Sequence, residues 1–152
     1  MSRRTALFLM MAIMSGCSSE EQTPEVQKLE SSELHILGSF CQGDYYRISG
    51  SEFSFFESGK KNVIFDNVKL VDIGSRRIEM TSKYKGLITK TTLLLESESN
   101  VIRFENVTYD LPNDIANRDG KLAFLAKNAA NITSAPKMTL CPTKSPQEKV
   151  QG

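Results

Sequence analysis

Between residues 34 and 141, short runs of aromatic and β-branched residues alternate with turn signals, and this pattern leaves few folds open to the chain. The signals include Ser-Gly, Gly-Lys-Lys-Asn and Lys-Gly, which are typical of tight turns between strands. Connections this short have no room for the crossovers of parallel strands, so neighbouring strands are expected to be antiparallel. The pattern predicts an all-β domain, a small antiparallel barrel or sandwich of about eight strands, at residues 45–49, 52–57, 62–72, 76–84, 87–96, 101–110, 121–126 and 137–141.

Alternating apolar residues in two of these runs predict one face toward a core and the other toward water. The residues predicted to face the core there are Ile78, Met80, Tyr84, Val63, Phe65 and Val71. Residues 111–118 fit either one short helix or a loop. A weak similarity between residues 62–68 and 100–107 reflects either chance or two equivalent hairpins, the second with a bulge at Arg103.

The N-terminal segment has the layout of an export signal. Two arginines precede the apolar run at residues 6–14, which is too short to span a bilayer, and small residues follow it. The sequence Met-Ser-Gly-Cys that ends at Cys17 resembles the lipobox of bacterial lipoproteins. This resemblance covers the first 19 residues and does not extend to the domain behind them.

The resemblance implies cleavage before Cys17, so that residues 1–16 are a signal peptide and the Cys17 thiol carries acyl chains, palmitate among them. Ser18 and Ser19 stand where the family's inner-membrane members have Asp, which implies transfer to the outer membrane. The chain would then be lipid-anchored there, with its domain facing the periplasm. The alternative is an ordinary secretory peptide that is cut nearby and leaves Cys17 as an unpaired thiol.

The composition divides the rest of the chain into three parts. Residues 18–33 contain five Glu and only two apolar side chains, Val26 and Leu29, too few to offset the entropy of ordering. We therefore predict a lipidated, flexible acidic tether at residues 17–33, with a helical turn or two around those two residues. The β domain follows at residues 34–141, and a polar tail at 142–152.

Two cysteines remain once Cys17 is assigned to lipidation. An export signal implies an oxidising compartment, so Cys41 and Cys141 are predicted to form a disulfide that joins the first strand to the last. Closing a loop of about 100 residues removes nearly 5 kcal/mol of unfolded-chain entropy in the loop model. The alternatives are a reactive pair or a two-cysteine metal site, but the CxxC spacing and a nearby His are lacking.

The side-chain inventory argues against catalysis, a cofactor and a metal site. The chain has a single His, His35, for which the sequence reveals no catalytic partner, so we expect a structural or exposed His. The acidic stretch at residues 110–120 lacks the ligand spacing of a calcium loop and is predicted to be a polar loop. Cleavage would remove two of the 19 basic residues and leave 17 against 18 acidic ones, which gives no electrostatic case for nucleic acid.

Two basic pairs occur at predicted turns, Lys60-Lys61 and Arg76-Arg77. Charge at such places keeps hairpin tips soluble, and it also suits the binding of a protein partner in the envelope. The sequence therefore favours a non-catalytic binding protein, an inhibitor or immunity protein among them. The alternative is a structural or accessory subunit of an envelope assembly.

Overall fold

The computed structural model describes residues 22–84, 87–96, 100–110 and 121–143. In these ranges, nine strands form one sheet and two helices pack against it. The strands are β1 Ser32–Ile36, β2 Tyr45–Ser49, β3 Glu52–Glu57, β4 Lys60–Phe65, β5 Val68–Gly74, β6 Arg77–Tyr84, β7 Leu87–Leu95, β8 Val101–Asp110 and β9 Met138–Pro142; the helices are α1 Pro24–Glu30 and α2 Lys121–Thr133. The signal segment, Cys17, residues 111–118 and the tail from residue 144 lie outside the described residues.

Every pairing in the sheet is antiparallel, in the order β4-β3-β2-β1-β9-β8-β7-β6-β5. This confirms the predicted all-β antiparallel fold. β4 and β5 are consecutive in the chain but form opposite edges, so the sheet must curl until its edges come near each other. The Val68 N–H donates to the Ser51 carbonyl oxygen at 2.8 Å, where β5 begins beside the β2–β3 turn. The sheet is thus curled but not closed.

The concave face of the curled sheet carries the core, and α1 fills one end of it. Val26 and Leu29 lie on one face of α1, three residues apart, and are only 4% and 0% exposed. They pack with core residues from both halves of the sheet, such as Ile48 and Leu93. The ordered fold therefore begins before the predicted boundary at residue 34, and much of the expected acidic tether belongs to α1 and β1.

Two of the predicted strands differ from the observed elements. The prediction of a strand at residues 121–126 is wrong, because these residues begin α2. Residues 121–133 contain four alanines, and alanine is the strongest helix former. The predicted strand at 121–126 includes only two of them, so the helical signal was not apparent there. The predicted strand at 62–72 is two strands, β4 and β5, which are separated by Asp66 and Asn67.

That division also changes which side chains face the core. Ile78 and Met80 are buried as predicted, and Phe65 packs against the core. Val63 and Val71, by contrast, are 49% and 41% exposed. A bulge in β4 and the break before β5 interrupt the alternation that a single straight strand would have kept. The side chain of Tyr84 lies outside the described residues.

Candidate functional site

The concave face holds a cavity of about 490 Å³ between the strands and α2. α2 lies against β8, and its Leu125 is buried at the cavity wall. Seven strands, α2 and the turn after it supply the lining, which consists of Tyr46, Phe53, Ile64, Phe65, Met80, Leu87, Thr89, Thr91, Phe104, Tyr109, Phe124, Leu125, Asn128, Asn131, Ile132, Ala135 and Met138.

The inward-facing residues of β7 show that the cavity lies at one end of the concave face. Leu87, Thr89 and Thr91 share one parity and line the cavity. Leu93 and Leu95 continue that parity but are 1% and 4% exposed, because α1 and the neighbouring strands pack over this end. The inner face of one sheet is therefore a filled core at the α1 end and a lined cavity at the α2 end.

The lining is aromatic and uncharged. Tyr46 and Phe53 stack with ring centroids 5.6 Å apart, and Phe53 lies 6.3 Å from Phe65. Phe124, on α2, is 66% exposed at the rim. Among the described residues that line the cavity, none is Asp, Glu, Lys or Arg. An ion entering this site would lose its hydration without gaining a countercharge, so the site suits a neutral, mainly apolar molecule.

A few polar groups interrupt this apolar surface on the α2 side. The Asn128 side-chain amide donates to the Tyr109 hydroxyl at 3.1 Å, and Asn131 lies three residues, or nearly one helical turn, further along the wall. Thr89 is paired with Tyr109 across β7 and β8. Such groups can orient a ligand by hydrogen bonds while the rings and methionines bury the rest of it.

The convex face holds the disulfide and the single His. Cys41 and Cys141 are bonded with their Cα atoms 5.8 Å apart, which confirms the predicted disulfide. The loop between β1 and β2, which contains Cys41, folds over β1, and His35 is left only 1% exposed. His35 Nδ1 lies 3.3 Å from the Gln42 carbonyl oxygen, and Nε2 lies 3.2 Å from a Glu33 carboxylate oxygen. A side chain enclosed in this way holds the loop to the sheet and cannot reach a substrate.

An aromatic row extends from this buried His across the neighbouring strands. The His35 ring lies 5.2 Å from Tyr45, and Tyr45 stacks on Phe56 at 4.7 Å. Burial, and then the negative charge of Glu33, raise the pKa of the Tyr45 hydroxyl, while Arg47 opposes them. Tyr45 is therefore uncharged at neutral pH and serves as packing on this face.

The four basic residues predicted to bind a partner have different surroundings. Lys60 is exposed, and Lys61 forms an ion pair with Glu52. The Arg76 guanidinium donates to the Glu96 carbonyl oxygen at 2.8 Å. Arg77 Nε donates to a carboxylate oxygen of Glu105, on β8, at 2.5 Å.

The fold does not bring the two basic pairs together. Lys60 and Lys61 begin β4 at the β3–β4 turn, whereas Arg76 and Arg77 lie where β5 turns into β6. The whole of β4 and β5 separates these two turns. A partner at the hairpin tips would meet two separate surfaces.

The part of the chain that the structure describes contains neither a metal-binding cluster nor a membrane-spanning helix. There, no group of three or more His, Cys, Asp or Glu side chains is placed to hold a metal ion. Neither of the two helices combines the length and the apolar composition needed to cross a bilayer.

Comparisons with protein-family models, curated proteins and solved structures found no significant match to this chain. The candidate site therefore stands on its own geometry. The sequence analysis does not predict this site, because it assigns a strand to residues 121–126, the first half of the covering helix α2, and no element to the second half. The available signal was the helical spacing of Leu125, Asn128 and Ile132, which now share the wall of the cavity.

Proposed function

We propose that this protein is a lipid-anchored envelope protein that binds a small, neutral, mainly apolar ligand without catalysis. The observation that carries the proposal is the uncharged aromatic cavity between the sheet and α2, with a volume of about 490 Å³. Ligand pockets in proteins span roughly 300–1,000 Å³ and combine apolar walls with a few polar groups. Both properties describe this cavity.

The ligand class follows from what the walls can stabilise. Buried rings and methionines such as Phe53, Met80 and Met138 offer apolar contact area, and each buried CH₂ of a ligand contributes about 0.8 kcal/mol. Tyr109 and Asn128 offer hydrogen bonds at one wall only. A molecule with an apolar body and one polar end matches this arrangement.

The envelope part of the proposal is supported by two observations. The Met-Ser-Gly-Cys sequence that ends at Cys17 resembles a lipobox, which implies the anchor. The bond between Cys41 and Cys141 is typical of proteins that fold in an oxidising compartment such as the periplasm.

The binding test uses N-phenyl-1-naphthylamine, a neutral aromatic dye with one N–H that fluoresces in apolar surroundings. The Cys17→Ser chain should bind it saturably. Ala135 lines the cavity, so Ala135→Trp should fill the site and raise the dye's Kd at least about tenfold, which corresponds to 1.4 kcal/mol.

Ala130 provides the matched control, because it lies on the exposed side of α2 and does not line the cavity. Ala130→Trp adds the same ring and should leave the Kd unchanged. Absence of saturable dye binding, or equal weakening by both tryptophans, would show that the cavity is not the binding site.

A further inference from the structure

The structure describes the chain from Gln22 onward, five residues after the predicted lipidation site. The Gln22 side-chain amide donates to the Glu30 carboxylate at 3.1 Å, and α1 starts at Pro24. Five residue steps separate Cys17 from Gln22, and at about 3.6 Å per residue they span at most about 18 Å. A lipid on Cys17 therefore holds this end of the domain near the membrane.

The start of α1 is fixed relative to the sheet. α1 is packed on the concave face by Val26 and Leu29, both buried. At its N-terminal end, Pro24 and Glu25 share one shallow cavity of about 300 Å³ with Arg76 and Leu95. The β5–β6 turn, which carries Arg76, therefore lies beside the first residues of α1. Gln22 and Thr23, just before the helix, border Gly50 and the strand β5 that leads to this turn.

The tip of that hairpin combines an aliphatic side chain with a cation. The pairing passes from Asp72 to Gly74, so Ile73 is a bulged residue, and its side chain is 50% exposed. Ser75 and Arg76 both have positive φ, 52° and 63°, which makes a tight turn. Aliphatic groups beside an Arg suit the headgroup region, where the apolar side chain meets acyl chains and the guanidinium meets phosphate.

The cavity lies at the other end of the sheet. Leu95 borders the shallow cavity beside α1, whereas Leu87 lines the candidate ligand cavity. They are the two ends of β7, eight residues apart, which corresponds to about 27 Å along a strand.

From these positions we propose that the β5–β6 tip lies against the lipid bilayer that holds the Cys17 acyl chains, and that the ligand cavity is held away from that surface. The inference rests on the anchoring step of the proposed function. It specifies what anchoring alone does not, namely which end of the domain contacts the lipid.

The chain contains no Trp, so single tryptophans can report on membrane contact without background. The probes are Ile73→Trp at the hairpin tip, Phe40→Trp on the disulfide loop and Phe124→Trp at the cavity rim. Phe40 and Phe124 are 88% and 66% exposed, so all three positions are open to solvent. Each lipidated chain is inserted into vesicles of phosphatidylglycerol and brominated phosphatidylcholine, and the bromine quenches any Trp that contacts the acyl region.

Ile73→Trp should lose most of its fluorescence in brominated vesicles, while Phe40→Trp and Phe124→Trp keep theirs. The Cys17→Ser form of Ile73→Trp should show no quenching with the same vesicles. Equal quenching of that unlipidated form would overturn the inference, because the contact would not depend on the anchor.

Two further outcomes separate this inference from the proposed function. If mass spectrometry finds no lipid on Cys17, the anchor and the inferred orientation are both wrong, while dye binding still tests the cavity. If Cys17 is lipidated but Phe124→Trp or Phe40→Trp is quenched as much as Ile73→Trp, the orientation alone is wrong.

Discussion

Arg77 and Glu105 form the most specific ion pair among the described residues. Arg77 donates from Nε and Nη2 to the two carboxylate oxygens, at 2.5 and 3.1 Å. Arg103 is a weaker neighbour, with Nη2 3.6 Å from Oε1. The hydrogen bond from Arg77 lowers the pKa of Glu105, followed by the positive charges of Arg77 and Arg103, while desolvation opposes the shift. Arg77 is therefore paired with a carboxylate within the sheet, whereas the exposed Arg76 donates to the Glu96 carbonyl oxygen and Lys60 is exposed.

Removing this bond should raise the pKa of Glu105. We expect Arg77→Met to move it upward further than Arg103→Met, because only Arg77 donates hydrogen bonds to the carboxylate. The measurement is the carboxyl carbon shift of Glu105 followed by NMR as a function of pH. Equal effects of the two substitutions would mean that charge alone, and not the hydrogen bonds, sets the pKa.

The sign of the pH effect follows from the lowered pKa. A carboxylate with a depressed pKa in the folded state stabilises the fold above its unfolded pKa, and this contribution is lost as the pH falls through the folded pKa. The wild-type chain should thus lose the contribution of Glu105 in the acid range, and Arg77→Met should lack it already at neutral pH.

Some of these residue contacts could be predicted from the sequence and others could not. The partner of Cys41 followed from the cysteine count and the export signal. The partner of Arg77 could not, because Glu105 lies two strands away, on β8, and is a bulged residue that pairs with nothing on β7. A bulge at Arg103 was part of only one of the two interpretations of the similarity between residues 62–68 and 100–107, and the observed bulge is at Glu105, two residues further on.

At the scale of elements, strands were predictable wherever turn signals flank them. The predicted bounds of β2, β3 and β8 coincide with the observed ones. α1 was not recognised as part of the fold, since a segment with two apolar side chains does not look able to fold. Those two side chains suffice because the curled sheet already offers an apolar end that a short helix can cover.

This account of α1 predicts unequal effects of neighbouring substitutions. Leu29 is 0% exposed, so Leu29→Ala should lower the free energy of unfolding by about 2–5 kcal/mol, the range for truncation of a buried Leu. Lys28→Ala, at an exposed position of the same helix, should change it by less than about 0.5 kcal/mol. Urea unfolding of the Cys17→Ser chain measures both changes in the free energy of unfolding. If Leu29→Ala has as small an effect as Lys28→Ala, α1 does not stabilise the domain and belongs to the tether.

At the scale of the whole molecule, the order of the strands in the sheet could not be predicted from local sequence patterns. Turn signals specify which strands are joined, but the sheet is centred on β1 and β9, which are far apart in sequence. The predicted disulfide anticipated that the two ends of the domain meet. It did not reveal that β4 and β5 become opposite edges of the sheet. Because these consecutive strands are opposite edges, the sheet curls, and the curl creates a concave face with a core at one end and a cavity at the other.

Because core and cavity share one face, a ligand in the cavity should stabilise the entire domain. Binding to the folded state alone adds RT ln(1 + [L]/Kd), or about 1.4 kcal/mol when the dye is at ten times its Kd. For a chain of this size that corresponds to a rise in Tm of roughly 3–6 °C. Calorimetry of the Cys17→Ser chain with and without N-phenyl-1-naphthylamine measures the shift. Ala130→Trp should keep it and Ala135→Trp should lose it, and an identical shift in both would place the bound dye outside the cavity.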